Sequence, residues 1–309
     1  MAPSFRIGTR GSPLALWQAN RVRDDLIAAH GLAPDAVEIV SIKTTGDAIQ
    51  DRPLSEAGGK GLFVKEIDEA LLDGRVDLAV HSAKDLPTEL APGTSLAATL
   101  ERADVRDALI GGVAPTLDAL PAGAIVGTAS LRRGALALRR RPDLKIVPFR
   151  GNVQTRLDKL GRGEVAATLL ALAGITRLGL AQHATEILDE TVFPPALGQG
   201  AIAVTARADD ARVRAALGPL DHFATAAALA CERAFLAVLD GSCRTPIAGL
   251  ARVDAAGWLS FRGLVLSGDG GRTVEGEGAG SAAEAALIGA EVGRDVKGRT
   301  PPDLLAAFG

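Results

Sequence analysis

Residues 77–87 read DLAVHSAKDLP, and this stretch decides the architecture. Leu78, Ala79 and Val80 form an apolar run that ends abruptly in polar and ionisable side chains, the pattern of a buried strand delivering a site. In open α/β sheets ligands bind beyond the carboxyl ends of the strands, which is where His81, Ser82, Lys84 and Asp85 fall. Asp85 is the candidate acid. A second reading stands beside this one: a strand followed by a turn, with Asp85 capping the next segment ahead of Pro87.

The chain around this stretch has 309 residues, more than a single core usually holds, and its 47% hydrophobic and 23% charged content fits two or three compact domains. No apolar run approaches the roughly 20 residues that span a bilayer, and the start, MAPSFRIGTRGSP, lacks the basic and long apolar regions of a secretory signal. A cytoplasmic protein without a membrane partner is expected. Cys231 and Cys243 are the only cysteines, too few for a disulfide framework, and no CxxC or paired-His spacing suggests a metal. Aromatic residues make up 3% and Tyr is absent, so base-stacking platforms are hard to build, and a net charge of −3 gives no general attraction to polyanions. Nucleic acid is not an expected partner.

Toward the N-terminus, Phe5 to Thr9 reads as a strand, and Ser12-Pro13 supplies an N-cap and first-turn proline for a helix through Ala29, closed by Gly31. Arg10 and Ser12 sit at that junction, where a helix start preceded by Arg is either a carboxylate seat or a solvated turn. Val37 to Ile42 is the second strand. From Thr44 to Gly61 neither helical nor alternating periodicity is present, as in a lid or binding loop carrying Lys60. Gly59-Lys60 does not make a phosphate loop, because Leu54 stands where GxxxxGK[ST] needs Gly and Gly61 follows the Lys. Phe63 to Leu72 then fits an amphipathic helix ending at Gly74.

Beyond the quoted stretch, polarity rises over Ala98 to Asp107, where the chain is expected to cross between domains. Ala124 to Thr128 is a strand followed at once by a helix start at Ser130, repeating the pattern of the first domain. Pro142 stops that helix, and strands follow at Leu144 to Phe149 and Val165 to Ala171. Between Gly127 and Arg177 there are nine Arg and two Lys against two Asp and one Glu, an asymmetry that needs an anionic partner. Arg139, Arg140 and Arg141 read as decoration of a helix C-terminus, where cations offset the dipole. Arg132, Arg133 and Arg150 follow strand ends instead. Guanidinium forks bind carboxylates or phosphates bidentately, so several converging on one crevice imply a ligand with several acidic groups.

Phe193 to Gly200 is a Pro- and Gly-punctuated second crossing, and Ala201 to Thr205 a strand returning to the first domain. Two crossings make a hinged pair. A helix over Ala224 to Leu239 contains Cys231, a turn at Gly241-Ser242 holds Cys243, strands alternate with turns from Ile247 to Glu277, and Ala282 to Val292 closes a third, small α/β domain.

The segments VHSAKDLP, GTASLRR, PFRGNVQTRL, PPALGQGA and LDGSCRTPIAG, in that order, resemble the porphobilinogen deaminase family, also called hydroxymethylbilane synthases. The likeness runs from Arg6 to about Val292. It implies two hinged, periplasmic-binding-protein-like, doubly wound α/β domains plus a small C-terminal α/β domain. The expected boundaries are 1–100 with 200–218, then 101–199, then 219–309. It also implies a monomeric transferase of tetrapyrrole biosynthesis that joins four porphobilinogen molecules head to tail, releasing ammonia each time, until water releases the linear tetrapyrrole.

By the same resemblance a dipyrromethane cofactor is carried covalently on Cys243 rather than Cys231. Its contacts are expected from Lys84, Asp85, Thr128, Ser130, Arg132, Arg133, Arg150 and Gln199, and those of the substrate from Arg10, Ser12, Lys60, Phe63, Arg150, Arg156 and Arg177. Each pyrrole ring bears an acetate and a propionate, which gives the Arg surplus a partner. Asp85 matches the family's catalytic carboxylate, opposite the positive charge that develops on ring nitrogens. Ser242 stands where the family usually has Gly, and Ala129 where Ser is common. The competing function is a non-enzymatic, hinged small-anion-binding or effector-sensing protein, which needs the Arg set but neither Asp85 nor a modified Cys243.

Overall fold

The computed structural model describes residues 4–45, 64–239 and 246–306. Its first elements are β1 (Phe5–Arg10), α1 (Pro13–His30), β2 (Val37–Ile42), α2 (Lys65–Leu72), β3 (Leu78–Ser82) and β4 (Thr94–Thr99). Then come β5 (Asp107–Gly111), β6 (Ile125–Gly127), α3 (Leu131–Arg140), β7 (Lys145–Val147), α4 (Val153–Gly161), β8 (Ala167–Ala171), α5 (Leu172–Arg177) and β9 (Glu186–Ile187). The remainder is β10 (Ile202–Arg207), α6 (Ala211–Leu217), α7 (Phe223–Val238), β11 (Ile247–Val253), β12 (Trp258–Leu266), β13 (Thr273–Ser281), α8 (Ala285–Arg299) and α9 (Pro302–Ala306). Two compact units result, Met1–Arg102 with Gly200–Ala226, and Ala103–Gln199 with Ala227–Gly309.

In the first unit one sheet runs β2-β1-β3-β10-β4, with β1 parallel to β2 and β3, and β10 antiparallel to both its neighbours. Local chemistry sets its first helix. Ser12 accepts the N–H of Ala15, Pro13 opens the first turn, and Gly31 closes the helix in the left-handed region at φ 60°. Ala19, Val22 and Leu26 of α1 then bury against Ile7, Leu78 and Val80 of the sheet. Asp77 anchors the start of β3, receiving the Arg6 backbone N–H at 2.8 Å and its guanidinium at 3.1 Å.

The second unit repeats the pattern. Its sheet runs β7-β6-β8-β5-β9, with β6 parallel to β7 and β8, and β5 antiparallel to β8 and β9. In both sheets the antiparallel strand is the first one after a chain crossing, β5 after β4 and β10 after β9. This shared order is the doubly wound, periplasmic-binding-protein-like topology. Several strands are shorter than the apolar runs that announce them. Pro148 lacks the N–H that would continue β7, so the strand stops at Val147 rather than Phe149.

The same unit contains the antiparallel sheet β11-β12-β13, covered by α7 and α8. Phe235 and Phe261 meet edge to face there, with ring centroids 5.1 Å apart. Gly289 of α8 sits against α7 so closely that a Cβ at that position would fall 2.0 Å from the Cys231 carbonyl oxygen. The segment before β10 is tied to this sheet through Gly249 N–H, which donates to Pro195 O at 3.0 Å, and through Leu197, which packs into its core.

Candidate active site

In the first unit the expected residues gather after β1 and β3, which are adjacent and parallel, with Gly8 opposite Ala79. Leu78, Ala79, Val80 and His81 are buried. His81 Nε2 lies 3.2 Å from Thr205 Oγ1. Burial, and then the charge of Arg10, push the His81 pKa down to about 4, so the ring is neutral at physiological pH. Ser82 and the buried Gln18 side chain hydrogen-bond to each other, with Gln18 Nε2 donating to Ser82 Oγ at 3.0 Å. The chain then makes one 3₁₀ turn over Ala83–Asp85, held to β10 by Ala83 N–H donating to Ala201 O at 3.0 Å.

That turn presents Lys84 and Asp85, both half-buried. No helix follows for Asp85 to cap, because Leu86 leaves the turn in extended conformation. Among the described residues the Asp85 carboxylate takes part in no hydrogen bond or ion pair. The capping reading of the sequence therefore gives way to a carboxylate held at a strand end without a structural partner among the described residues. Ser12, by contrast, spends its oxygen as the α1 cap, 3.3 Å from Ala15 N, beside a half-buried Arg10.

In the second unit the expected residues follow β6, β7 and β8. Gly127 ends β6 where the Phe149 ring leaves no room, since a Cβ there would lie 2.6 Å from the ring. Thr128 is buried and its Oγ1 accepts Ser130 N–H at 3.1 Å, while Ser130 caps α3 by accepting Arg133 N–H. The first turn of α3 sends Arg132 and Arg133 inward, where both are buried against the fully buried Asp107 at the start of β5. Arg133 donates from Nη2 to Asp107 Oδ1 at 2.7 Å, from Nε to the same oxygen at 3.1 Å, and from Nη1 to Leu169 O at 3.1 Å. Arg132 Nη1 donates to Pro194 O at 2.8 Å. Its Nη2 stands 2.7 Å from Asp107 Oδ2, an ion-pair contact not aligned as a hydrogen bond. The buried Arg132 Nε finds no hydrogen-bond acceptor among the described residues.

Gln199 completes this cluster, donating from Nε2 to Asp107 Oδ1 at 2.9 Å and to Val105 O at 2.8 Å. Burial opposes ionisation of Asp107, but the charges of Arg132 and Arg133 outweigh it and hold the carboxyl far below the usual range. Further along, Arg156 donates from Nε to Gly151 O at 3.0 Å. Its pKa is pushed down to about 10 by desolvation and by the charges of Arg133 and Arg150. Arg177 is half-buried at the end of α5.

The expected surplus over Gly127–Arg177 is also partly answered from within. Arg140 pairs with Asp118 and Glu186, Arg141 with Asp143, and Arg162 with Glu164. Arg139 donates to Thr273 Oγ1 at 2.6 Å. The triple Arg therefore fastens α3 to its surroundings rather than merely decorating the helix end. Of the acids involved, Asp107, Asp118 and Glu186 lie outside the sequence window in which the charges were counted, which is why the window overstates the demand for an external anion.

Lys60, Phe63, Ser242 and Cys243 lie outside the described residues, as do the greater part of the expected lid and the Gly241 turn. Cys231 is fully buried in the C-terminal core, and burial followed by the charge of Glu232 pushes its thiol up to about 12. A thiol so far from ionisation is no nucleophile near neutral pH.

Residues 5–215 match the family model "Porphobilinogen deaminase, dipyromethane cofactor binding domain", and residues 226–298 match "Porphobilinogen deaminase, C-terminal domain". The chain belongs to the porphobilinogen deaminase family. The deaminase of Nitrobacter hamburgensis is 56% identical over 302 residues, 98% of this chain and 95% of the relative. That of Nitrobacter winogradskyi is 54% identical over the same length and shares. Among solved structures, the methionine binding protein MetQ is similar at 15% identity over 70% of this chain and 89% of that one, with a TM-score of 0.44. Family membership makes the chain a transferase. It also accords with the donor set of the second unit: two buried guanidinium groups that share one carboxylate, and an Arg132 Nε without an acceptor among the described residues, suit a group bearing several carboxylates, as dipyrromethane does.

Asp107 is what sequence reasoning passed over. Its signal was available in an acid opening the apolar run DALIG, since a charge at the head of a buried strand must meet a partner. No local pattern says which partner.

Proposed function

We propose that this chain condenses four porphobilinogen molecules into the linear tetrapyrrole hydroxymethylbilane, with Asp85 as the catalytic carboxylate. The observation that carries the assignment is the half-buried Asp85 at the end of β3, neither a cap nor an ion-pair partner among the described residues. Loss of ammonia from porphobilinogen leaves an electron-poor azafulvene, and attack by a neighbouring pyrrole places positive charge on ring nitrogens. A fixed anion facing those nitrogens lowers both barriers. Asp85 also serves to carry a proton to the leaving amine. His81 is excluded from that task by its buried, neutral state.

The dipyrromethane cofactor, held through Cys243, supplies the pyrrole terminus on which the chain is built. Thr128, Ser130, Arg132, Arg133, Arg150, Lys84 and Gln199 hold or orient it. Arg10, Ser12, Lys60, Arg156 and Arg177, with Arg150 shared, take the carboxylates of incoming rings, and Phe63 stacks on a pyrrole face. Charge-assisted hydrogen bonds of this kind contribute about 1.5–3 kcal/mol each. We divide the chain into three domains, 1–100 with 200–218, 101–199, and 219–309, a reading supported by one sheet in each and by the packing of Phe235, Phe261 and Val292 in the last. We place the protein in the cytoplasm as a monomer with no nucleic-acid partner. Among the described residues, no helix is long and apolar enough to cross a membrane.

The test is the intact mass of denatured protein before and after incubation with porphobilinogen, together with assay of the tetrapyrrole product. An adduct of two pyrrole rings and product formation are expected. A chain that stays unmodified and makes no product would return it to the class of anion-binding proteins, which the family membership does not favour.

A further inference from the structure

Asp107 is a single carboxylate shared by two buried guanidinium groups and one amide. A carboxylate has room for several donors, and here Arg133 and Gln199 donate to Oδ1 while Arg132 stands beside Oδ2. Its own position is fixed from the backbone, since β5 is sandwiched between β8 and β9, and the Asp107 carbonyl accepts Leu188 N–H at 2.9 Å. The cluster retains one positive charge. The third donor is the neutral Gln199 where a second acid would have closed the balance, so neutrality is not the outcome of this arrangement. Arg156 also feels the charges of Arg133 and Arg150.

We infer that Asp107 is a positioning residue: its buried carboxylate aims the guanidinium groups of Arg132 and Arg133 and cancels one of their two charges, leaving the other for a ligand carboxylate. The inference rests on the proposal that this Arg pair holds cofactor carboxylates. Without the anion, two buried like charges lie side by side, and at least one guanidinium must turn away toward water. Arg132 is then free to leave the Pro194 carbonyl, and Arg133 the Leu169 carbonyl, the contacts that each makes while it is held beside Asp107. Ligand carboxylates would meet a mobile pair in place of a preset one, and the ordering would be paid at binding.

The full chain, prepared free of cofactor from cells unable to make porphobilinogen, is incubated with porphobilinogen as Asp107→Asn, Asp107→Glu, Arg132→Leu and parent. Growth of the two-ring adduct is followed by intact mass, and the thermal midpoint is measured before and after. Folded Asp107→Asn is expected to load at least tenfold more slowly than the parent. Asp107→Glu, which keeps the charge but moves it, should load at an intermediate rate. A purely structural Asp107 would lower the midpoints of loaded and unloaded chains alike and leave the loading rate of the folded variant at the parent's value, and that result overturns the inference. If Asp107→Asn does not fold, Asp107→Glu decides: loading at the parent's rate overturns the positioning role, and slowed loading of a folded chain supports it. Arg132→Leu separates the two levels. Parental loading there sinks the underlying assignment of the Arg pair, whereas slow loading in Arg132→Leu with parental loading in Asp107→Asn sinks the positioning role alone.

Discussion

The carboxylate of Glu232, on α7, accepts the backbone N–H of Gly198 at 2.5 Å, in the very segment that carries Gln199 to Asp107. Its other oxygen accepts Ala251 N–H at 2.9 Å, on β11. One buried side chain therefore joins the C-terminal sheet, its helix and the crossing segment. Glu232→Ala leaves two buried N–H groups without acceptors and should cost roughly 2–4 kcal/mol. Glu232→Gln, whose single oxygen still serves one of them, should cost less. Chemical denaturation of both variants measures the difference, and equal midpoints for Ala and parent would refute the staple.

For Asp85, Asn preserves shape and removes charge, while Glu preserves charge and moves it by one methylene. The Asn variant should fold and, once it carries the cofactor, bind substrate yet lose about 10²–10³ in turnover, with Glu retaining more. Turnover and thermal midpoint on cofactor-loaded protein are the measurements. Near-normal turnover in Asp85→Asn would remove Asp85 from the mechanism.

His81 makes stability fall in mild acid. Its folded pKa of about 4 lies below the ordinary value of 6.5, so between those values the unfolded chain binds more protons and stability drops as the pH falls. The loss levels off below about pH 4 and amounts to on the order of 3 kcal/mol. His81→Asn should flatten this part of the stability profile of the unloaded chain between pH 4 and 6.5. An unchanged slope would place the titrating group elsewhere.

The two cysteines should behave oppositely. Cys243→Ser is expected to lose the two-ring adduct, while Cys231→Ser keeps it and is destabilised by about 1–3 kcal/mol through burial of a hydroxyl in an apolar core. An iodoacetamide time course on native, cofactor-free protein should leave Cys231 unlabelled, given its raised thiol pKa. Adduct retained in Cys243→Ser would move the attachment site.

Gly289→Ala places a Cβ on the Cys231 carbonyl and forces α8 away from α7. Overpacking at a backbone contact should cost about 1–3 kcal/mol or more. A thermal midpoint equal to the parent's would mean the helices separate without penalty.

What the amino-acid order determines by itself is whatever depends on near neighbours. Ser12, Pro13 and Gly31 bound α1 through contacts no more than a turn away, Ser130 starts α3 in the same manner, and short apolar runs mark β1, β3 and β8. The motif order was equally legible, and with it the family. Reading which residues succeed strand ends singled out Arg132, Arg133 and Arg150, and the family resemblance added Arg156. Only the tertiary structure decided how those charges are answered. Asp107 lies 26 residues before Arg133 and 92 before Gln199. They meet because β8 lies between β6 and β5, so the residues after β6 reach across its C-terminal half, where Leu169 O receives Arg133 and β5 offers its first side chain opposite Ala171. Strand order and register set that meeting, and neither leaves a trace in local periodicity. The same holds for the two aspartates of the opening stretch: Asp77 is neutralised by Arg6 across a strand pair, and Asp85, eight residues on, has no such partner among the described residues, a distinction made by what the fold brings alongside each.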